Sequence, residues 1–268
     1  MTDERVRFNI CDSVADVRLV RRDKSNALDG AMFDALIDAG RQLAHTHGLR
    51  AVVLSGEGSG FCAGIDMSVL ADMADGAIAG VADLVTRTHG ICNRFQYAAW
   101  VWRELPVPVI AAVHGYALGG GLEVALGADI RYMTADAKLS VMEVRWGLVP
   151  DMGATQLMRH LVREDLAREL SYTGRVFTGA DAFAYGLATR LADDPRQAAL
   201  ETAREIADKS PTAIRALKRL FNDAVTIDPR VGLINETIEQ QALIGSRNQI
   251  ETVLADREKR KARFEDAT

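Results

Sequence analysis

Apolar positions in the first third of the chain fall into short runs separated by a helical stripe. Val17–Val20 and Ala51–Leu54 are runs of strand length, and between them Met32, Leu36, Ala39 and Leu43 recur near one face of the stretch Met32–Ala44. That spacing predicts strand, helix, strand, with Asp29 as the helix N-cap and Gly48 as its stop. Leu84, Thr88, Ile91, Phe95 and Trp102 keep helical spacing through Ala82–Leu105, and Pro106 and Pro108 close the stretch. A long helix feeding an apolar strand at Val109–Val113 is predicted there. Ile130–Met133 and Leu139–Met142 read as further strands, and Glu164–Ser171 and Ala180–Tyr185 as helices. Beyond Asp193 the pattern is helical throughout, over Pro195–Lys209, Pro211–Ala224, Pro229–Ile244 and Ile250–Phe264. The chain therefore reads as an α/β core over residues 1–194 and a helical region over 195–268.

Composition narrows the partners more than the fold. With 268 residues the chain can bury a sizeable core without crosslinks. Its formal net charge of -5, from 37 acidic and 32 basic residues, gives no attractive field for nucleic acid or an anionic membrane. An anionic ligand must be held by local basic groups. Cys11, Cys62 and Cys92 are three in number, with no CxxC pair, so neither a disulfide framework nor a metal site is expected. The N-terminus MTDERVRFNI is unlike a signal peptide and no apolar run reaches membrane-spanning length. A cytoplasmic location is expected.

Chemistry concentrates in two glycine-rich turns. The first, SGEGSGFCAGID (Ser55–Asp66), follows an apolar strand, but Phe61 stands where a dinucleotide fingerprint needs its third glycine, and no Gly-Lys-Ser/Thr ending makes it a phosphate loop. What remains is a loop with backbone donors around Ala63 and Gly64. The second, GYALGGGLE, starts a short helix at Gly119–Gly121 and carries Glu123; Glu143 follows twenty residues later. Two strand-to-helix turns that present N–H groups can converge on one oxygen. Two carboxylates beside such a point suggest acid/base chemistry on a carbonyl compound.

At these residues the chain resembles the crotonase superfamily, the enoyl-CoA hydratases and isomerases. The matching pieces are KSNALD (Lys24–Asp29), SGEGSGFCAGID, PVIAAVHGYALGGGLEVALGADIRY (Pro108–Tyr132), EVRWGLVPDMGATQLMRHLV (Glu143–Val162), TGRVFTGADAFAYGLATRL and the EKRKARF near the end. The resemblance implies a spiral of ββα units with a helical C-terminal trimerisation region, assembled as a homotrimer or a dimer of trimers. It also implies an acyl-CoA thioester as substrate, with no cofactor beyond the coenzyme A that the substrate carries, and no metal. By position, it assigns the oxyanion-hole N–H groups to Ala63 and Gly120 and the catalytic pair to Glu123 and Glu143. It gives substrate contacts to Gly64, Ile65 and Asp66, and contacts with the CoA phosphates to Lys24 and to Lys259 or Lys261.

Asp151 departs from the hydratase pattern, which has glycine there, and matches an aspartate of the dienoyl-CoA isomerases. Those isomerases in turn have aspartate where this chain has Glu123. Hydration of a 2-trans-enoyl-CoA is the expected reaction, and isomerisation of a 3,5-dienoyl-CoA using Glu123, Glu143 and Asp151 is the alternative. Near the C-terminus, Thr252 and Asp256 replace the family's glycine and phenylalanine. Non-catalytic acyl-CoA-binding relatives normally lack one or both glutamates, and RNA-binding relatives call for a basic stripe; this chain has both glutamates and an acidic balance.

Overall fold

A computed structural model describes residues 4–74 and 83–267. A hairpin opens the chain, β1 (Val6–Cys11) and β2 (Val14–Leu19), turned by Asp12 and Ser13 at positive φ, the left-handed geometry of a two-residue hairpin loop. Then come α1 (Gly30–Ala44), β3 (Ala51–Gly56), α2 (Met67–Ala74), α3 (Arg94–Glu104), β4 (Val109–Val113) and β5 (Tyr116–Leu118). The middle of the chain holds α4 (Gly120–Leu126), β6 (Ile130–Met133), β7 (Lys138–Ser140), a 3-10 turn at Glu143–Trp146, α5 (Ala154–Met158) and α6 (Glu164–Thr173). It continues through β8 (Phe177–Thr178), α7 (Gly179–Tyr185), β9 (Arg190–Leu191), α8 (Pro195–Ala207), α9 (Pro211–Ala224), α10 (Pro229–Leu243) and α11 (Arg247–Glu258).

Six strands form the main sheet in the order β1-β2-β3-β4-β6-β9, parallel except for the opening hairpin, and β5-β7-β8 form a second sheet. After β4 and again after β6 the chain leaves the main sheet for one short strand of the second, then turns into helix; β4, β5 and α4 make one such ββα unit. Strands β3 and β4 are buried at every position. That explains why AVVLSG and VIAAV read as continuous rather than alternating apolar runs.

One face of the main sheet packs Val17, Val52, Leu54, Ala111 and Val113 against α1, α3 and α4. The other packs Val14, Val53, Ile110 and Ala112 against Ala198, Ala199, Ala203 and Ala207 of α8. The small side chains of α8 let helix and sheet approach closely. Helix α8 starts at Pro195 and completes the second face of the sheet, so the packed core extends beyond residue 194.

Several helix boundaries differ from expectation for local reasons. Residues 83–93 are not helical; α3 starts at Arg94, where Asn93 and Gln96 form a reciprocal capping box, and Ala82 lies outside the described residues. The spacing before Asn93 marks no continuous buried face, since Leu84 is half-buried whereas Thr88 is exposed and Ile91 is 70% exposed. Asp29 does cap α1, accepting from the Met32 N–H, but that helix stops at Ala44, ahead of Gly48. Helix α11 starts earlier than expected, at Arg247 under a Ser246 cap, and ends where Lys259 takes a left-handed φ of 51°.

Beyond α8, a buried lysine ties α9 to the core. Lys218 of α9 is buried, and its ammonium donates to the carbonyls of Trp102 and Val107 and to Asp129 Oδ2 at 3.2, 2.9 and 2.8 Å. Helix α10 buries none of its residues within the chain and exposes Leu233, Ile234 and Ile238.

Candidate active site

Glycine packing draws the two turns together. Gly119 holds φ 50° and ψ -127°, a conformation that L side chains rarely adopt, and its carbonyl accepts the first N–H groups of α4, from Leu122 and Glu123. A Cβ on Gly121 would lie 2.5 Å from the Cys62 carbonyl, and one on Gly64 2.5 Å from the Leu118 carbonyl. Only glycine at these places lets the Phe61–Asp66 loop lie directly on β5 and α4.

Asn26 and Arg21 hold that loop from behind. Asn26 is fully buried, and its Nδ2 donates to the carbonyls of Glu57, Gly60 and Phe61 at 2.9, 3.1 and 3.1 Å. Arg21 binds Asp66 at 2.6 Å, Asp29 at 3.2 Å and the Ala27 carbonyl at 3.0 Å. Neither residue was expected at the site. Asn26 lies inside the quoted KSNALD motif, whereas Arg21 has no spacing signal, because its partners are 8 and 45 residues away.

The loop then forms a parallel bridge with the segment before α1: the Leu28 N–H donates to the Gly64 carbonyl at 2.8 Å, and the Asp66 N–H to the Leu28 carbonyl at 3.0 Å. In a parallel bridge the residue between those two groups turns its own N–H away from the neighbouring strand. That residue is Ile65. The Ala63 N–H, expected as the oxyanion donor, instead donates to the Ser25 carbonyl at 3.0 Å, so it is occupied. Among the described residues, the N–H groups of Ile65 and Gly120 find no acceptor, and both residues line one cavity of about 600 Å³.

Both glutamates reach the same cavity. Glu123, 2% exposed, uses Oε2 to accept the N–H groups of Met152 and Ala154, each at 2.9 Å, which fixes its carboxylate and the segment after Asp151 together. Its Oε1 has no partner. Glu143 opens the 3-10 turn, and its Oε1 lies where a Cβ on Gly119 would meet it at 2.9 Å. Glu143 Oε2 is likewise buried and unpartnered. Asp151 also lines the cavity and is more exposed than either glutamate.

Electrostatics keep these acids protonated beyond the usual carboxylate range. Burial, the like charge of Glu143 and, less, that of Asp151 push Glu123 well up, against the Ala154 N–H, which favours the ionised form. Burial also raises Glu143 and Asp151. Asp66 behaves oppositely. The Ser68 N–H and, with it, Arg21 hold its carboxyl down to about 2 although burial opposes them. Its backbone N–H and its carboxylate are thus engaged within the protein, capping the start of α2 rather than standing free for a ligand.

The basic residues divide. Lys24 lines the cavity from the end of a 3-10 turn at Arg22–Lys24. Lys259 terminates α11 and does not line it, and Lys261 pairs with Asp208 at 2.8 Å. All three cysteines are free thiols; burial pushes Cys62 up to about 12. Among the described residues no group of three or more His, Cys, Asp or Glu side chains is arranged to hold a metal ion, and no helix is long and apolar enough to cross a membrane.

The family model for enoyl-CoA hydratase/isomerase matches residues 9–267, and the chain belongs to that enzyme family, with the crotonase fold and its helical C-terminal region. Mitochondrial methylglutaconyl-CoA hydratase of Mus musculus is 32% identical over 246 residues, covering 89% of this chain and 75% of that protein. Mitochondrial Delta(3,5)-Delta(2,4)-dienoyl-CoA isomerase of Homo sapiens is 36% identical over 213 residues, 76% of this chain and 64% of the isomerase. The crystal structure of a putative enoyl-CoA hydratase from Streptomyces coelicolor A3(2) superposes with a TM-score of 0.86 at 30% identity, over 99% of this chain and 96% of that one.

Proposed function

We propose that this protein hydrates 2-trans-enoyl-CoA thioesters. The observation that carries the reading is the pair of buried, unpartnered carboxylate oxygens, Glu123 Oε1 and Glu143 Oε2, at one cavity. A water needs two acceptors to be oriented, and these are two. Like charges in a buried site resist double ionisation, so the pair holds on to a shared proton above the usual carboxylate range. Hydration needs that state. One carboxylate takes a proton from the water as its oxygen bonds to C3, and the other gives a proton to C2, so the pair ends with the proton it began with.

As C3 is attacked, charge moves onto the thioester oxygen. The unengaged N–H groups of Ile65 and Gly120 are the donors for that oxygen, in place of the expected Ala63. One such donor is worth about 3 kcal/mol of transition-state stabilisation. Lys24 at the cavity supports a contact with a CoA phosphate. We read the exposed apolar faces of α9 and α10, with Phe221 72% and Leu233 63% exposed, as the surface that copies of this chain cover in a trimer. Lys259 then meets CoA only as a neighbour's residue.

Asp151 supports a second reading. A third acid in the cavity, raised by burial, suits proton transfer along a longer conjugated system, and a dienoyl-CoA isomerase is among the relatives. An assay panel of crotonyl-CoA, trans-2-octenoyl-CoA and 3,5-octadienoyl-CoA separates the two. Loss of the enoyl absorbance at 2-enoyl substrates, with Asp151→Asn retaining most of the rate, is expected. Consumption of the diene alone, abolished by Asp151→Asn, would establish the second reading instead.

A further inference from the structure

We infer that the acyl group this enzyme accepts is an uncharged hydrocarbon longer than four carbons, and that acyl chains ending in a carboxylate are rejected. The inference rests on the acyl-CoA reading of the cavity and concerns its wall. Phe33 of α1, Leu70 and Met73 of α2, Leu84 of the segment before α3 and Phe95 of α3 contribute apolar side chains to the cavity that holds Glu123, Glu143 and the Ile65 and Gly120 N–H groups. Phe33 and Phe95 meet edge to face, with ring centroids 4.9 Å apart, so this part of the wall is a packed surface.

Among its described residues that wall holds no basic side chain. Among the described lining residues Lys24 is the only basic one. Arg94 does not line the cavity and sits over the two rings, 5.9 Å from the Phe33 centroid and 5.5 Å from that of Phe95. Its guanidinium is already bound to Asp34 and to the Gly30 carbonyl, both at 2.7 Å. Arg87 is bound to Gln96 at 2.9 Å and to the Leu84 carbonyl. Residues 75–82, DGAIAGVA, lie outside the described residues and include no basic side chain in their sequence. The other charges at the cavity are acids, which repel a carboxylate. An unpaired carboxylate buried against this wall keeps its full desolvation cost. Each methylene buried there gains about fourfold in affinity.

Binding of unreactive saturated acyl-CoAs reads the wall whatever reaction the site performs. Titration calorimetry of the full-length protein with butyryl-CoA, octanoyl-CoA and glutaryl-CoA is expected to give octanoyl at least about tenfold tighter than butyryl, and glutaryl at least about tenfold weaker. Leu70→Arg and Leu84→Arg, two independent placements of a cation, should each weaken octanoyl and bring glutaryl to or above butyryl. Glutaryl binding as tightly as butyryl in the unaltered protein, or butyryl as tightly as octanoyl, overturns the inference. The expected binding order without turnover of any 2-enoyl-CoA would leave the wall assignment standing and remove the hydratase reading.

Discussion

Replacing Arg21 by methionine removes one guanidinium from between two carboxylates and should loosen the loop that aims the Ile65 N–H. Arg21 joins Asp66 and Asp29, and both it and Asp66 have side chains only 11% exposed. Asp66 is held from 3.8 to about 2, a net stabilisation of roughly 2.5 kcal/mol after burial has opposed its partners. The Ser68 N–H is the largest of those, so the Arg21 share is about 1 kcal/mol. Burial opposes ionisation of Asp29, whose carboxyl is nonetheless lowered, by Arg5 and the Met32 N–H before Arg21. Losing that third partner and the bond to the Ala27 carbonyl adds about 1–2 kcal/mol. A net loss of about 2–3 kcal/mol lowers the melting temperature by roughly 5–10 °C.

Because both carboxyls titrate below their unfolded values, this stabilisation is complete above about pH 4 and is lost as pH falls toward 2. The gap between wild type and Arg21→Met should narrow over that window. Activity is the second readout. A misaligned donor lowers kcat by about tenfold to a hundredfold, less than full removal would, while KM moves little because the apolar wall is untouched. Arg21→Lys should recover part of kcat. A variant that melts and turns over like wild type at pH 7 would refute the link from Arg21 to the loop.

Other parts of the molecule give independent tests. Gly119→Ala should cut hydration at least about tenfold, since its Cβ would lie 2.9 Å from Glu143 Oε1 and its φ of 50° strains any L residue. Glu123→Gln should raise the melting temperature at pH 8 while reducing activity. The folded protein holds Glu123 well above its ordinary value, so a stability penalty is present at high pH and vanishes as pH falls below about 4, where the difference should disappear. Lys218→Met should cost about 3 kcal/mol in urea unfolding, because the Trp102 and Val107 carbonyls and Asp129 lose a buried donor.

Much of the architecture is legible from local pattern. Fully buried strands such as β3 and β4 announce themselves as apolar runs, and α9 carries its proline at the first helical position. The stretch before α3 misleads because helical spacing of apolar residues says nothing about whether another element covers them, and the Asn93 capping box starts the helix later. At the site, Glu123, Glu143 and Gly120 lie in recognisable turns. That the Ala63 N–H is engaged and the Ile65 N–H is not is set by the Ser25 carbonyl and the bridge to Leu28, a tertiary fact with no residue-level trace. Arg21 escapes for the same reason: its meaning depends on two acids brought to it by the fold.

Hydration depends most directly on the shared proton and water of the glutamate pair. Initial hydration rates on trans-2-hexenoyl-CoA, followed as loss of the conjugated-thioester absorbance from pH 4 to pH 10, test it in wild type, Glu123→Gln and Glu143→Gln. Wild type should give a bell-shaped profile, falling at low pH when both acids are protonated and at high pH when the pair loses its last proton, above the usual carboxylate range. Each variant should lose at least about a hundredfold in kcat. Wild-type turnover in either variant would contradict the two-carboxylate mechanism.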